Sequence, residues 1–371
     1  MALMQATDPD RLRQAQPAAR AENAELEQLA IKDYRSRGRR KVVAIVGLFL
    51  LAFVAFVVAT VVGPIDLGIR DLFLALTGSD GVDQRTHTVL WQLRLPASVM
   101  ALLVGAALGL SGAFMQTILD NPLAEPFTLG ISSAAAFGAA FSIVMGWTIL
   151  ANPQFNLALL TSVSALLAVL VVAAASLWRG ASAEVMILLG IALSFFFQAL
   201  LSLMQYGAST EALQQIVFWT MGSMQRANWT SNGIIGVVLL VALPYAAASA
   251  WKLTALRLGD DRAASLGVNV KALRIATLVV ASVLAAAAVA FAGIIGFIGL
   301  VGPHIARMLV GEDQAFFLPA SVASGAVLMT VAYAVSISIV PGVAIPIGII
   351  TALVGVPFFV FLVFSRRKGR S

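Results

Sequence analysis

The chain reads as an all-α polytopic membrane protein of about ten transmembrane helices with both termini in the cytoplasm. Three observations carry that reading. Of its 371 residues, 60% are hydrophobic and only 11% charged, with a mean hydropathy of +0.93; a soluble domain is roughly a quarter charged. Runs of about 20 apolar residues recur, each long enough to cross a bilayer core. In lipid such runs must be helices, because every backbone polar group needs an internal partner. The cations are also partitioned. Nine Lys/Arg lie in residues 1–41, four follow Ser365, and five lie between Lys252 and Arg274. Besides Arg179 and Arg307, only Arg70, Arg85, Arg94 and Arg226 remain. The positive-inside rule produces this split when both ends are cytoplasmic.

Residues 1–41 are polar and rich in Ala, Glu, Arg and Gln. They lack the basic start and short apolar core of a signal peptide and read as a cytoplasmic extension. Ten spans follow, at about 42–62, 95–118, 128–149, 156–177, 184–206, 230–249, 272–294, 296–310, 317–339 and 345–365. Residues 366–371 form a basic cytoplasmic tail. Two outer connectors, Gly63–Arg94 and Gly207–Trp229, mix apolar and polar residues and suit short interfacial helices. The inner connectors are Leu119–Phe127, Trp178–Ala183, 250–271 and Gly311–Phe316.

Small residues mark close approach. Gly105 and Gly109 form GxxxG in the second span, followed by Ser111 and Gly112, and such faces let backbones pack tightly in lipid. Gly293, Gly296, Gly299 and Gly302 predict broken or half-length helices at the seventh and eighth spans. Pro122 and Pro126 mark one break and Pro303 a second, a spacing that suggests an internal duplication.

Much chemistry is excluded. There are no cysteines, hence no disulfides, thiolate metal sites or Cys nucleophiles. No P-loop, H-E-x-x-H, G-x-S-x-G or metal-ligand cluster occurs. Neither a catalytic site, a metal site nor a cofactor is expected. His87 and His304 read as structural. The spans lack acidic and basic residues at mid-depth, so no proton relay is evident. Their polar residues (Gln116, Ser194, Gln198, Ser202, Gln205, Thr330) are neutral and suit interhelical hydrogen bonds. The sequence pI of about 10.1 reflects topology, and no nucleic-acid partner is expected. Thr254–Arg274, TALRLGDDRAASLGVNVKALR, is a charged island in an apolar sea, where a soluble partner could grip the bundle. An uncharged interior without its own energy source suits a permease driven by a separate motor.

Several strings resemble the FecCD-type permease family of ABC importers for ferric siderophores, haem and vitamin B12. These are WQLRLP at Trp91–Pro96, LVGAALGLSGAFMQ at Leu103–Gln116 and NPLAEPFTLG at Asn121–Gly130. They continue with LRLGDDRAASLGVNV at Leu256–Val270, GIIGFIGLVGPHIAR at Gly293–Arg307 and PIGIITALVGVPFF at Pro346–Phe359. The resemblance implies that residues 42–365 are a ten-helix permease domain in a bacterial inner membrane. It also implies a second permease copy, identical or paralogous, two cytoplasmic ABC ATPases and a periplasmic substrate-binding protein. ATP hydrolysis would lie on the separate ATPases, so the chain itself is not an enzyme. Spans five and ten are expected to line the path at the dimer axis.

By position, the resemblance assigns ATPase coupling to Leu256, Leu258, Gly259, Asp260, Asp261, Arg262, Ala263, Leu266, Gly267 and Val268. It assigns the cytoplasmic gate to Asn121 and Leu123, with Ala183 and Glu184 as a second element, and binding-protein docking to Arg94. The chain departs from the family where Ala97 replaces a second arginine. Tyr333 and Ile337 replace an Asp and an Arg, and Ala344 replaces a Glu. Docking is therefore expected to use weaker or different electrostatics. A ferric siderophore is the expected cargo, with haem and cobalamin as alternatives. From other classes, an ion-gradient-driven transporter would work without an ATPase, and a membrane scaffold would leave NPLAEP without a role.

Overall fold

The computed structural model describes Ser36 and residues 38–63, 68–77, 83–179, 182–340 and 342–365. Most of the expected N-terminal extension and the whole 366–371 tail lie outside these residues. The described part is helical, with one isolated bridge between Val340 and Val343.

Each of the ten expected spans falls on one helix. Among the described residues, seven helices are long and apolar enough to cross a membrane: α1 (Gly38–Val61), α4 (Leu95–Ile118, continuous with the short α3, Gln84–Val89, through a π turn at Leu90–Arg94), α6 (Pro153–Arg179), α7 (Ala183–Tyr206), α9 (Trp229–Leu256), α11 (Val270–Ala292) and α13 (Gln314–Ser338). The other three, α5 (Ile131–Met145), α12 (Ile298–Val310) and α14 (Ile347–Ser365), contain shorter apolar stretches. As expected, the connectors Gly63–Arg94 and Gly207–Trp229 carry short helices, α2 (Ile69–Thr77) and α3 in the first and α8 (Thr210–Thr220) in the second.

Local chemistry sets the starts. Ser182 and Ser209 accept from backbone N–H groups of α7 and α8, Asn269 from α11 and Asp313 from α13, while Asn228 and Ser231 form a reciprocal box at α9. α4 is the central post, with nearly its whole length buried. Its small residues explain how. A Cβ on Gly105 would meet the Gly325 carbonyl of α13, and one on Gly109 the Ser321 carbonyl. Ser111 donates to the Ala281 carbonyl of α11 at 2.5 Å. The GxxxG face is thus a packing face.

Two boundaries differ from expectation. α9 runs on to Leu256 and absorbs the start of the 250–271 loop, because Ala246–Leu256 still buries one face against the core. Pro303 does not mark the second break; it lies inside α12, and the break is at Gly293–Phe297. Proline cannot donate to the Gly299 carbonyl one turn earlier. That carbonyl faces Gly112 of α4, where any side chain would collide with it.

Candidate functional site

At one end of the bundle the chain makes a helix–glycine–helix–glycine–helix passage. After α9, Arg257 and Leu258 close the last turn. Gly259 (φ 99°) then turns the chain into α10 (Asp260–Ser265), and Gly267 (φ 84°) turns it out again. Both glycines hold left-handed backbone that other residues resist. The Val268 N–H returns to the Ala263 carbonyl, sealing the exit. Leu256, Ala263 and Val268 are buried and anchor the segment. Leu258 and Leu266 are 54% and 58% exposed, and Asp261 and Arg262 are exposed beside them. The expected coupling residues thus divide into an inward anchor and an outward face of two leucines and two charges.

Asp260 belongs to neither group. Arg274, on the second turn of α11, clamps its carboxylate with two bonds of 2.7 and 2.8 Å. The same guanidinium donates through Nε to the Ile118 carbonyl at the end of α4, at 3.1 Å. Arg257 makes a second tie, to Asp120 at 2.5 Å and to Glu312 at 2.6 Å. Arg307 reaches Glu312 at 3.3 Å and the Gln116 carboxamide at 2.9 Å. Burial raises the Glu312 carboxyl, but its Arg257 hydrogen bond and the Arg257 and Arg307 charges outweigh this and hold it below the usual range.

These ties end on Ile118 and Asp120, at the entry to the loop that carries the expected gate residues. Asp120 turns the chain with a positive φ of 46°. Asn121 then accepts from the Leu123 N–H at 2.9 Å, while its own N–H donates to the Gln116 carbonyl at 3.1 Å. Leu123 is exposed. Glu125, two residues on, accepts from the Phe297 N–H at 3.3 Å and so links the loop to the α11–α12 break. Burial lifts its carboxyl from the ordinary 4.5 to about 7, against the opposing pull of that bond. Ala183 and Glu184 sit at the start of α7, half-buried and exposed respectively. Among the described residues they share no hydrogen bond with Asn121 or Leu123. α7 meets the loop further in, where Gly190 packs on Thr128 and Leu129.

Arg94 lies at the start of α4, 7% exposed, and donates to the Thr60, Val61 and Val62 carbonyls at the end of α1. It caps a helix C-terminus. The structure nonetheless gathers the positions of departure: Arg94, Tyr333, Ile337 and Ala344 line one cavity of about 360 Å³. Ala97 is buried in the core.

Sequence reading missed Arg257, Arg274, Asp120, Glu312 and Glu125. The available signal was the lone carboxylate in NPLAEP and the two arginines that bracket the charged island.

Comparison with known proteins gives a consistent result. The FecCD transport family matches residues 50–365. The hemin transport system permease HmuU of Yersinia pestis is 33% identical, over 87% of this chain and 96% of its own. The molybdate import system permease MolB of Haemophilus influenzae is 35% identical, over the same shares. A solved metal-chelate type ABC transporter in an inward-facing conformation superposes with a TM-score of 0.75 at 33% identity, covering 87% of this chain and 99% of that one.

Proposed function

The chain belongs to the FecCD transport family and is a multi-pass ABC transporter permease, and from that premise we propose that it imports a ferric siderophore across a bacterial inner membrane. Haem and cobalamin remain the alternative cargoes within the same class. Two chains, or this chain and a paralogue, form the path; two cytoplasmic ATPases hydrolyse ATP, and a periplasmic binding protein delivers the chelate. The chain catalyses no reaction. In this reading ten membrane-spanning helices leave both termini on the cytoplasmic side.

One observation carries the reading. The outward face of α10, with Leu258, Asp261, Arg262 and Leu266, stands on a segment tied by Arg257 and Arg274 to the loop holding Asn121 and Leu123. A push on α10 therefore reaches Asp120 and Ile118 through two guanidiniums. ATP shifts the inward and outward states by its differential effect on them, and this linkage supplies the route.

Co-purification in mild detergent tests it. Wild type should bring down an ABC ATPase, and the double variant Asp261→Lys/Arg262→Glu should lose it while keeping the wild-type melting temperature. Asp260 is left intact because its carboxylate is held by Arg274. Wild-type chain recovered without an ATPase under several gentle conditions would count against the reading. We propose docking at the cavity that Arg94, Tyr333 and Ala344 line. Since Arg94 faces carbonyls, Arg94→Ala should leave the salt slope of binding-protein affinity unchanged; a shallower slope would make Arg94 a docking charge.

A further inference from the structure

Arg226 is a partly buried cation with no carboxylate partner among the described residues. It closes the turn Met224–Arg226 between α8 and α9. One terminal nitrogen donates to the Ala292 carbonyl at 3.2 Å, and the guanidinium sits 5.9 Å from the Trp219 ring centre. Its Nε is buried with no hydrogen-bond partner. Arg257, Arg274 and Arg307 each pair with a carboxylate; among the described residues Arg226 pairs with none. Burial pulls its pKa down to about 10, so it stays charged at neutral pH. A charge that is partly withdrawn from water, with a buried donor left unpaired, is favoured by an anionic partner.

The open side of this cation is a cavity of about 750 Å³. That size suits a small-molecule ligand. Its other polar walls are Gln214 and Gln215 of α8 and Ser223, with Phe218 and Pro346 as apolar walls. No acidic residue lines it among the described residues. The walls come from α8 and from the segment leading into α14, which are joined by Ile347 and Gly348 N–H bonds to the Gly222 and Met221 carbonyls. The cavity is therefore built, with one positive charge and neutral donors.

We propose that this cavity is an anion site on the import path, where Arg226 takes carboxylate or oxyanion oxygens of an anionic metal chelate and Gln214 and Gln215 add neutral hydrogen bonds. The assignment rests on the importer reading above. A guanidinium offers a planar fork to such oxygens. An uncharged chelate would gain nothing from it, so the site selects by charge.

The test is calorimetric titration of the purified full-length chain in lipid nanodiscs, without partner proteins. Gallium(III)–citrate is the anionic probe and gallium-loaded ferrichrome the uncharged control. Wild type should bind gallium–citrate with an affinity that falls with salt. Arg226→Gln should weaken it by about tenfold or more and Arg226→Lys by only about threefold, given the strength of charge-assisted bonds. The uncharged probe should not respond to either change. Gln214→Ala/Gln215→Ala, remote from the Ala292 bond, should weaken gallium–citrate by a few-fold and keeps the test open should Arg226→Gln misfold. No saturable binding by wild type, or equal affinity in Arg226→Gln, overturns the proposal. So does a loss of binding-protein docking in Arg226→Gln with gallium–citrate binding intact, since the anion would then be a protein carboxylate. ATP-driven uptake by the assembled complex separates the two readings. Uptake that ignores Arg226 removes the anion site alone; absence of any ATP-driven uptake removes the importer.

Discussion

Single residues on the loop end of the bundle are held by charge pairs of unequal burial. Arg274 is nearly enclosed while its partner Asp260 is half exposed, so removing the carboxylate strands a poorly solvated cation. Asp260→Asn and Arg274→Ala should each lower stability, with a coupling energy of about 1–3 kcal/mol between them, read from denaturant unfolding of the single and double variants. A coupling near zero would show that the fork is not formed in solution. Glu125 gives a pH prediction. Its carboxyl is raised to about 7 in the folded chain from an ordinary 4.5, so the folded state holds its proton longer than the unfolded state. Stability from this group is present below about 4.5 and is lost as pH rises toward 7. Glu125→Gln keeps an acceptor for Phe297 N–H and should flatten that part of the pH–melting curve in detergent. An unchanged slope would mean that Glu125 ionises at its ordinary pH. At this scale the sequence was legible only in part. The pair Asp260–Asp261 announces charge, but which acid turns inward depends on Arg274, brought round by Gly267 and the start of α11.

Helices were more legible than their ends. Each apolar run falls on a helix among the described residues, seven of them long and apolar enough to cross a membrane, and Gly105, Gly109 and Ser111 were readable as a packing face because small residues at that spacing have few other uses in lipid. The end of α9 was not readable, since Lys252 and Thr254 look like loop residues although Leu253 and Leu256 beside them are buried. The α11–α12 break was sensed from its glycines but misplaced at Pro303, which lies inside α12, the helix whose Gly299 meets Gly112 of α4. That meeting is testable. Gly112→Ala would drive a methyl into the Gly299 carbonyl, and overpacking against backbone costs about 1–3 kcal/mol. Its melting temperature should drop clearly, whereas Gly236→Ala, whose nearest neighbour would be Leu103 at 3.9 Å, should melt like wild type. Equal melting of both variants would mean that α4 and α12 are less closely packed than described.

As a whole, the molecule is a permease with one end of its bundle cross-linked by arginines. The family strings made the architecture legible from sequence, because they are long and fall in order along residues 91 to 359. The strings did not reveal how the α10 segment and the Asp120–Leu123 loop are joined, since Arg257–Asp120 and Arg274–Ile118 span well over a hundred residues. Such long-range partners leave no local pattern. Reconstituted uptake tests ATP-driven import most directly. The chain, its ATPases and binding protein are placed in liposomes and supplied with a radiolabelled ferric siderophore. The expected result is accumulation that requires ATP and the binding protein and is lost in Asp261→Lys/Arg262→Glu. Accumulation without ATP, driven by an imposed ion gradient, would contradict it.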